Sequence, residues 1–325
     1  MTPPTPPTRC AAIDVGTNTV LLVVAEERDG LLEPVVERAE ITRLGRGVDA
    51  SGRLSPDAIR ETVETLGRFA AEARALGASQ IVCVATSAAR DAQNGAEFFA
   101  ASRAAAGLTP EVISGEEEAR LVYGSAWRDF GLTPGGPSPF PPGPPLAVLD
   151  VGGGSTEFTF GDGPAPRGRA SLQLGAVRLT ERHVRTDPMP LSQQLVLREA
   201  AREALAPLAK LDGIGDVTGA RLVGVAGTVT TLCSVQQALP VYDARRVHGA
   251  AMTLDEIDAL LVRLASLTVG ERQRLPGMEP KRADVIVAGG IIVAEAMRLT
   301  GFERLTVSDR GVRWGLLYDR LHGGR

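Results

Sequence analysis

Twice along the chain an aspartate closes an apolar run and opens a short turn rich in glycine and hydroxyl side chains. The first copy is Asp14-Val15-Gly16-Thr17-Asn18-Thr19 and the second Asp150-Val151-Gly152-Gly153-Gly154-Ser155-Thr156-Glu157. Glycines let the main chain approach an anion closely, and successive N–H groups form a concave nest that holds phosphate oxygens. The aspartate beside the nest can hold a divalent cation. Each copy is flanked by apolar strands, residues 10–15 and 20–25 for the first and 146–151 and 157–160 for the second, so both are expected as β-hairpin tips. An ordinary tight hairpin uses the same residue types. Recurrence with the aspartate at the same strand end is what favours phosphate, and two such tips from related half-chains are expected to face one another across one cleft.

Other segments could add to that chemistry. Ser114-Gly115-Glu116-Glu117-Glu118 opens a helix. A capping box and the helix dipole account for Glu116 and Glu117, whereas Glu118 shares a side with Val122 and can point inward, where a carboxylate could orient and deprotonate water. Arg90, in Thr86-Ser87-Ala88-Ala89-Arg90-Asp91, follows an apolar strand at the sheet edge where ligands bind in α/β proteins. Its planar fork suits phosphate, and a surface arginine paired with Asp91 is the equal alternative. Arg43 and Arg46 are similar candidates. Gly227-Thr228 and Gly289-Gly290 each read as a strand running through small residues into a helix N-terminus, a geometry suited to phosphate or nucleotide. Close helix–strand packing would equally demand glycine. The three histidines show no partner pattern, and without a base a serine or cysteine nucleophile has little support.

The elements expected to position these groups form a strand triplet followed by alternating helices and strands, repeated once. Strands are expected at 10–15, 20–25, 35–44, 80–86 and 111–114, then at 146–151, 156–161, 168–174, 222–226, 285–288 and 305–307. Ser55-Pro56-Asp57 starts a helix that Gly77 closes; further helices are expected at 95–106, 191–211, 254–267 and 291–299. This alternation makes the chain α/β, with the order of a duplicated ribonuclease-H-like fold as in actin. The expected division is residues 1–121 plus 309–325 for one domain and 122–308 for the other. A proline- and glycine-rich stretch at 133–145 can hold neither helix nor central strand and reads as an exposed connector.

The 325 residues allow two domains, each with its own core, and a formal charge of −4 argues against a general nucleic-acid or membrane binder. Cys10, Cys83 and Cys233 have no paired spacing and read as core thiols in a reducing cytoplasm. Residues 1–9 lack an apolar export segment and read as a disordered tail, and no run of about 18 apolar residues occurs. Lysine occurs only at 210 and 281, so arginine abundance reflects composition, and only arginines inside motifs carry weight.

The ordered set of Asp14-x-Gly-Thr-Asn-Thr19, Thr86-Ser-Ala-Ala-Arg-Asp91, Ser114-Gly-x-Glu-Glu-Ala119, Asp150-Val-Gly-Gly-Gly-Ser-Thr-Glu157, Gly224-Val-Ala-Gly-Thr228, Arg282-Ala-Asp-Val-Ile286 and Ser308-x-x-Gly311-Val-Arg313-x-Gly315 resembles the exopolyphosphatase and guanosine pentaphosphate phosphatase family. The resemblance covers nearly the whole chain after residue 9. It implies an actin-like two-domain fold with the active site in the interdomain cleft, and release of terminal orthophosphate from inorganic polyphosphate with Mg²⁺ or Mn²⁺. It also implies a catalytic role for Glu118, and phosphate binding by Gly16, Thr17, Asn18, Thr19, Arg90, Gly152, Gly153, Gly154 and Ser155. Gly227 and Thr228 join the phosphate-binding set, and Asp14, Asp150 and Glu157 match acids placed to hold the metal. Thr17 and Thr19 stand where many members carry serine, which keeps the hydroxyls. The chain ends without the helical domain of longer members and so resembles the short form. Guanosine pentaphosphate is the nearest alternative substrate. An actin-like kinase using the Gly289-Gly290 turn, or a non-catalytic polyphosphate sensor, are the rivals of other classes. A homodimer is a further expectation, with no interface marked in the sequence.

Overall fold

The computed structural model describes residues 9–28, 31–131, 144–211 and 219–322. In chain order the elements are β1 (Arg9–Val15), β2 (Thr19–Arg28), β3 (Leu31–Ile41), α1 (Val48–Ser51), α2 (Pro56–Ala75), β4 (Ala78–Ala85), α3 (Ser87–Asp91), α4 (Gly95–Ala106), β5 (Glu111–Val112) and α5 (Gly115–Ala126). There follow β6 (Leu146–Val151), β7 (Thr156–Gly161), β8 (Gly168–Leu172), α6 (Ala176–His183), α7 (Leu191–Leu205), β9 (Arg221–Val225), α8 (Ala226–Gln236) and α9 (Ala244–Val247). The last are β10 (Ala251–Thr253), α10 (Leu254–Ser266), α11 (Val269–Arg272), α12 (Ile286–Thr300), β11 (Arg304–Val307) and α13 (Val312–His322). They form two units, residues 1–114 with 312–325, and residues 115–311. The tail at 1–8 and the connector at 133–143 fall outside the described residues.

In the first unit the sheet order is β3-β2-β1-β4-β5, with β1–β2 and β2–β3 antiparallel and β1–β4–β5 parallel. Strand β1 is buried on both faces, as a central strand carrying helices on each side must be. One face packs Ala11, Ile13 and Val15 with Leu66 and Phe69 of α2 and Phe98 of α4, and α13 packs on the other. The Ser55 hydroxyl accepts from the Ala58 N–H at the start of α2, Pro56 fills the first helical position, and Gly77 follows in the left-handed region at φ 79°. These are the start and stop signals read from sequence.

The second unit repeats the plan with one strand added at the edge, in the order β10-β11-β9-β6-β7-β8. Its β6–β7–β8 triplet is antiparallel, and β6, β9 and β11 run parallel. The duplicated ribonuclease-H-like arrangement is therefore present in both units. A core of β6, β7, β9 and β11 side chains meets α7, α8, α10 and α12. Among the described residues no helix is long and apolar enough to cross a membrane.

Three local expectations are corrected. Residues 285–288 are not a strand: Ile286 begins α12, whose residues 286–297 are all buried. A short apolar run does not separate a buried strand from a helix buried all round. Gly289 and Gly290 thus lie inside a helix, not in a nucleotide-binding turn. A Cβ at Gly289 would sit 2.7 Å from Thr228 Cγ2, and one at Gly290 2.5 Å from Leu261 Cδ2, so these glycines permit close approach of α12 to α8 and α10. Second, the third strand of each triplet ends early, β3 at Ile41 and β8 at Leu172. Third, β8 is followed by a helix, α6, where the sequence pattern marks none.

Candidate active site

The two loops share one backbone closure. Gly16 donates its N–H to the Thr19 carbonyl at 2.9 Å, and Gly152 donates to the Ser155 carbonyl at 3.1 Å. The segments that leave β3 and β8 early then return to the loops. After β3, the Thr42 and Arg43 N–H groups donate to the Asn18 carbonyl at 3.1 and 3.0 Å, and Gly45 N–H to the Thr17 carbonyl at 2.8 Å. After β8, the first N–H groups of α6 do the same work: Ala176 donates to Gly152 at 2.9 Å, and Val177 and Arg178 donate to Gly153 at 2.9 and 3.2 Å. A trans peptide carries its N–H on the side opposite its C=O. Tying the carbonyls from one side therefore turns the following N–H groups of each loop to the other, which is the polarity an anion nest requires.

A glycine makes each clamp sterically feasible. A Cβ at Gly45 would lie 2.3 Å from Thr17 Cγ2, and one at Gly175 would lie 2.3 Å from the Gly153 carbonyl oxygen. The sequence carries the matching signal as a second repeat, Arg43-Leu44-Gly45 against Gln173-Leu174-Gly175, each placed where a third strand ends. Two non-glycine residues held at positive φ, Arg43 at 53° and Ala226 at 69°, also adjoin the loops. Such conformations persist where surrounding bonds over-determine them.

In the first unit, β1 and β4 run parallel with Val15 beside Ala85, so the 16–19 loop and the Thr86–Asp91 segment leave the same sheet edge. Thr86 N–H donates to the Val15 carbonyl at 3.1 Å. Thr17, Asn18 and Thr19 are buried, as is Asp14. Arg90, on α3, is half-buried, and its Nη1 donates to the Ile113 carbonyl at 2.9 Å. That bond orients a planar group with five N–H donors. Its contact with Asp91 is a long 3.9 Å.

In the second unit, the three glutamates at the start of α5 have different fates. Glu116 reaches Arg169 on the surface at 3.1 Å, and Glu117 takes two 2.8 Å bonds from Arg120. Glu118 is buried, at 8% exposure. Helix α5 packs on β7 and β8. A Cβ on Gly115 would meet Ser171 Oγ at 2.1 Å and come within 3.8 Å of Glu157 Oε1. Glu118 stands one turn further on this helix, on the side that Gly115 presents to Glu157. The Ser171 hydroxyl donates to Glu157 Oε1 at 2.7 Å.

Asp150 and Glu157 are direct cross-strand partners on β6 and β7, a placement that puts Cβ atoms about 4.5–5.5 Å apart on one face. Both are buried, and burial pushes the Asp150 carboxyl up to about 7. Two buried acids facing one another suit a divalent cation, which would displace the Asp150 proton. Among the described residues no group of three or more His, Cys, Asp or Glu side chains is arranged to hold a metal. Mg²⁺ accepts such a set, since it is commonly held by one or two carboxylates with waters and substrate phosphate oxygens completing its shell.

Strand β9 lies parallel to β6 with Val225 beside Asp150, and so brings Gly227 and Thr228 to the edge that carries the 152–155 loop. The Thr228 hydroxyl donates to the Val151 carbonyl at 3.0 Å; it braces the strand beneath the loop. Gly227, at the start of α8, is covered by Arg282, whose Cζ would be 2.1 Å from a Cβ at that position. Burial lowers the Arg282 pKa from its ordinary value. The Arg282-Ala-Asp-Val-Ile286 motif gives this arginine no role by itself, and only the fold reveals that it packs on Gly227.

Repeated α/β units, each with a carbonyl-tied loop of anion-nest polarity, and one bearing a buried glutamate and paired acids, define a protein of duplicated ribonuclease-H-like type. Residues 23–323 match the Ppx/GppA phosphatase family, and the chain belongs to it. It is 37% identical over 322 residues to exopolyphosphatase 2 of Mycobacterium tuberculosis, covering 95% of this chain and 97% of that one. A Ppx/GppA family member from Aquifex aeolicus superposes with a TM-score of 0.77 at 33% identity, covering 98% of both chains. An exopolyphosphatase from Cytophaga hutchinsonii superposes at 0.87 with 25% identity, over 98% of this chain and 99% of the other.

Proposed function

We propose that the chain is an exopolyphosphatase, removing the terminal orthophosphate of inorganic polyphosphate with Glu118 as the base. The observation that carries the reading is the burial of Glu118 on α5, on the side that reaches Glu157, in the unit that also holds the triple-glycine loop. Glu118 accepts a proton from water as the water oxygen bonds to the terminal phosphorus. The bridging P–O bond breaks, its electron pair leaves on the shortened chain, and orthophosphate is released. The outward N–H groups of Gly153, Gly154 and Ser155 meet charge developing on the non-bridging oxygens. The loop at Gly16, Thr17, Asn18 and Thr19, with Arg90, is the phosphate-binding element of the first unit. In the second unit Asp150 and Glu157 are the residues that would hold Mg²⁺ or Mn²⁺, and Asp14 is the motif-matched acid of the first unit. When bound, the ion supplies positive charge to phosphate oxygens.

The test is orthophosphate release with Mg²⁺ from long-chain polyphosphate, tripolyphosphate, guanosine pentaphosphate and ATP side by side. Preference for polyphosphate, abolished in Glu118→Gln, is the expected result. Preference for guanosine pentaphosphate would reassign the substrate, and a tight complex with no release from any compound would make the chain a sensor.

A further inference from the structure

The two clamps differ in the kind of donor at the third carbonyl of each loop. In the first loop the Asn18 carbonyl is held by two backbone N–H groups, from Thr42 and Arg43. Its counterpart in the second loop is the Gly154 carbonyl, which receives the Nε of Arg178 at 2.8 Å. The same guanidinium donates through Nη2 to Gln173 Oε1 at 2.8 Å, and the Arg178 backbone N–H goes to the Gly153 carbonyl. One residue therefore holds two successive peptide planes of the loop, and Gln173 fixes the angle at which its fork arrives.

We propose that Arg178 is a positioning residue for phosphate in the second loop, a role that rests on the exopolyphosphatase reading. By holding the Gly154 oxygen toward α6 it keeps the Ser155 N–H turned to the opposite side, where the anion lies. Without it the Gly154–Ser155 peptide, preceded by glycines that tolerate almost any φ, is free to rotate. Rotation would place a carbonyl lone pair where a donor is needed, converting attraction for phosphate into repulsion. In the first loop the matching Asn18 carbonyl is held by two main-chain N–H groups, and the loop is built on Thr and Asn.

The experiment is steady-state orthophosphate release from polyphosphate, with product inhibition by inorganic phosphate as an independent measure of anion binding. Arg178→Ala raises KM and the phosphate inhibition constant together by about tenfold, the loss of one charge-assisted hydrogen bond. The melting temperature stays near that of the parent, because the group is half-exposed. Gln173→Leu, which keeps the arginine and removes the acceptor that aims it, raises KM by roughly threefold, as does Arg178→Lys, whose amine lacks the fork. A parental KM and phosphate inhibition constant in folded Arg178→Ala overturns the proposal. If that variant does not fold, parental values of both constants in Arg178→Lys overturn it instead. Failure of the parent enzyme to release phosphate would overturn the functional reading, which is a separate outcome.

Discussion

The two loops have one backbone design and different chemical surroundings. Each closes with a first-to-fourth hydrogen bond, and each has its carbonyls tied by the segment that follows the third strand. In the first unit the loop carries Thr17, Asn18 and Thr19, and Asp14 is opposed across the hairpin by Leu21. In the second the loop is three glycines, the Gly154 carbonyl depends on an arginine, and Asp150 is opposed by Glu157. Duplication supplied a phosphate cradle twice. The two facing acids and the buried Glu118 lie on one copy, so on the proposed exopolyphosphatase reading grip falls to the first unit and reaction to the second.

The sharpest way to break that division is to compare Glu118→Gln with Arg90→Ala. General-base assistance is worth about 10²–10⁴ in rate, so Glu118→Gln should lower kcat by that factor with the melting temperature unchanged. Arg90→Ala removes a charged donor from the first unit and should act chiefly on KM, by roughly 10–100-fold. A kcat loss in Arg90→Ala as large as in Glu118→Gln would end the division of labour.

Smaller effects are expected from the clamping glycines, and they should differ in kind. Gly45→Ala directs a methyl at the end of the Thr17 side chain, whereas Gly175→Ala directs one at the Gly153 backbone. Overpacking of this sort costs about 1–3 kcal/mol. Thr17→Ser removes the nearest obstruction, Cγ2, while keeping the hydroxyl, and should restore part of the KM and stability lost in Gly45→Ala, the Ala88 Cβ at 3.0 Å remaining. No side-chain change relieves Gly175→Ala. Kinetics and thermal melting of the single and double variants decide this, and equal rescue in neither unit would show that the clamps are not sterically set as described.

Much of this arrangement is legible in the sequence because its signals are local. The first two strands of each triplet, the Ser55-Pro56 helix start and the twin aspartate–glycine turns are each fixed by residues within a few positions of one another. Glu118 is separable from Glu116 and Glu117 by helical spacing alone. The groups that escape are those whose meaning depends on a distant partner. Gly289 and Gly290 read as a phosphate turn until Thr228 and Leu261 are found packed against them. Arg178 and Arg282 are ordinary in sequence, since what matters is the carbonyl or the glycine each one meets. Helix α6 gives no start signal because its first N–H groups are capped by the loop it clamps, so no N-cap side chain announces it.

The last contrast concerns stability. Burial holds the Asp150 carboxyl at about 7 against an ordinary 3.8, so between these values the folded protein binds more protons than the unfolded chain. Stability must then fall as pH rises through that window, and the penalty is complete above it. Asp150→Asn has no proton to lose and removes the charge that burial disfavours. In EDTA it should match the parent near pH 4, gain steadily toward pH 7, and hold a constant advantage above, of about 5 °C in melting temperature. The same substitution should lower the response of kcat to added Mg²⁺. A gain in stability coupled to a loss of metal response is the signature of an acid kept buried for its chemistry. A pH-independent melting difference would show that Asp150 is ionised without strain, and that burial is not what holds its proton.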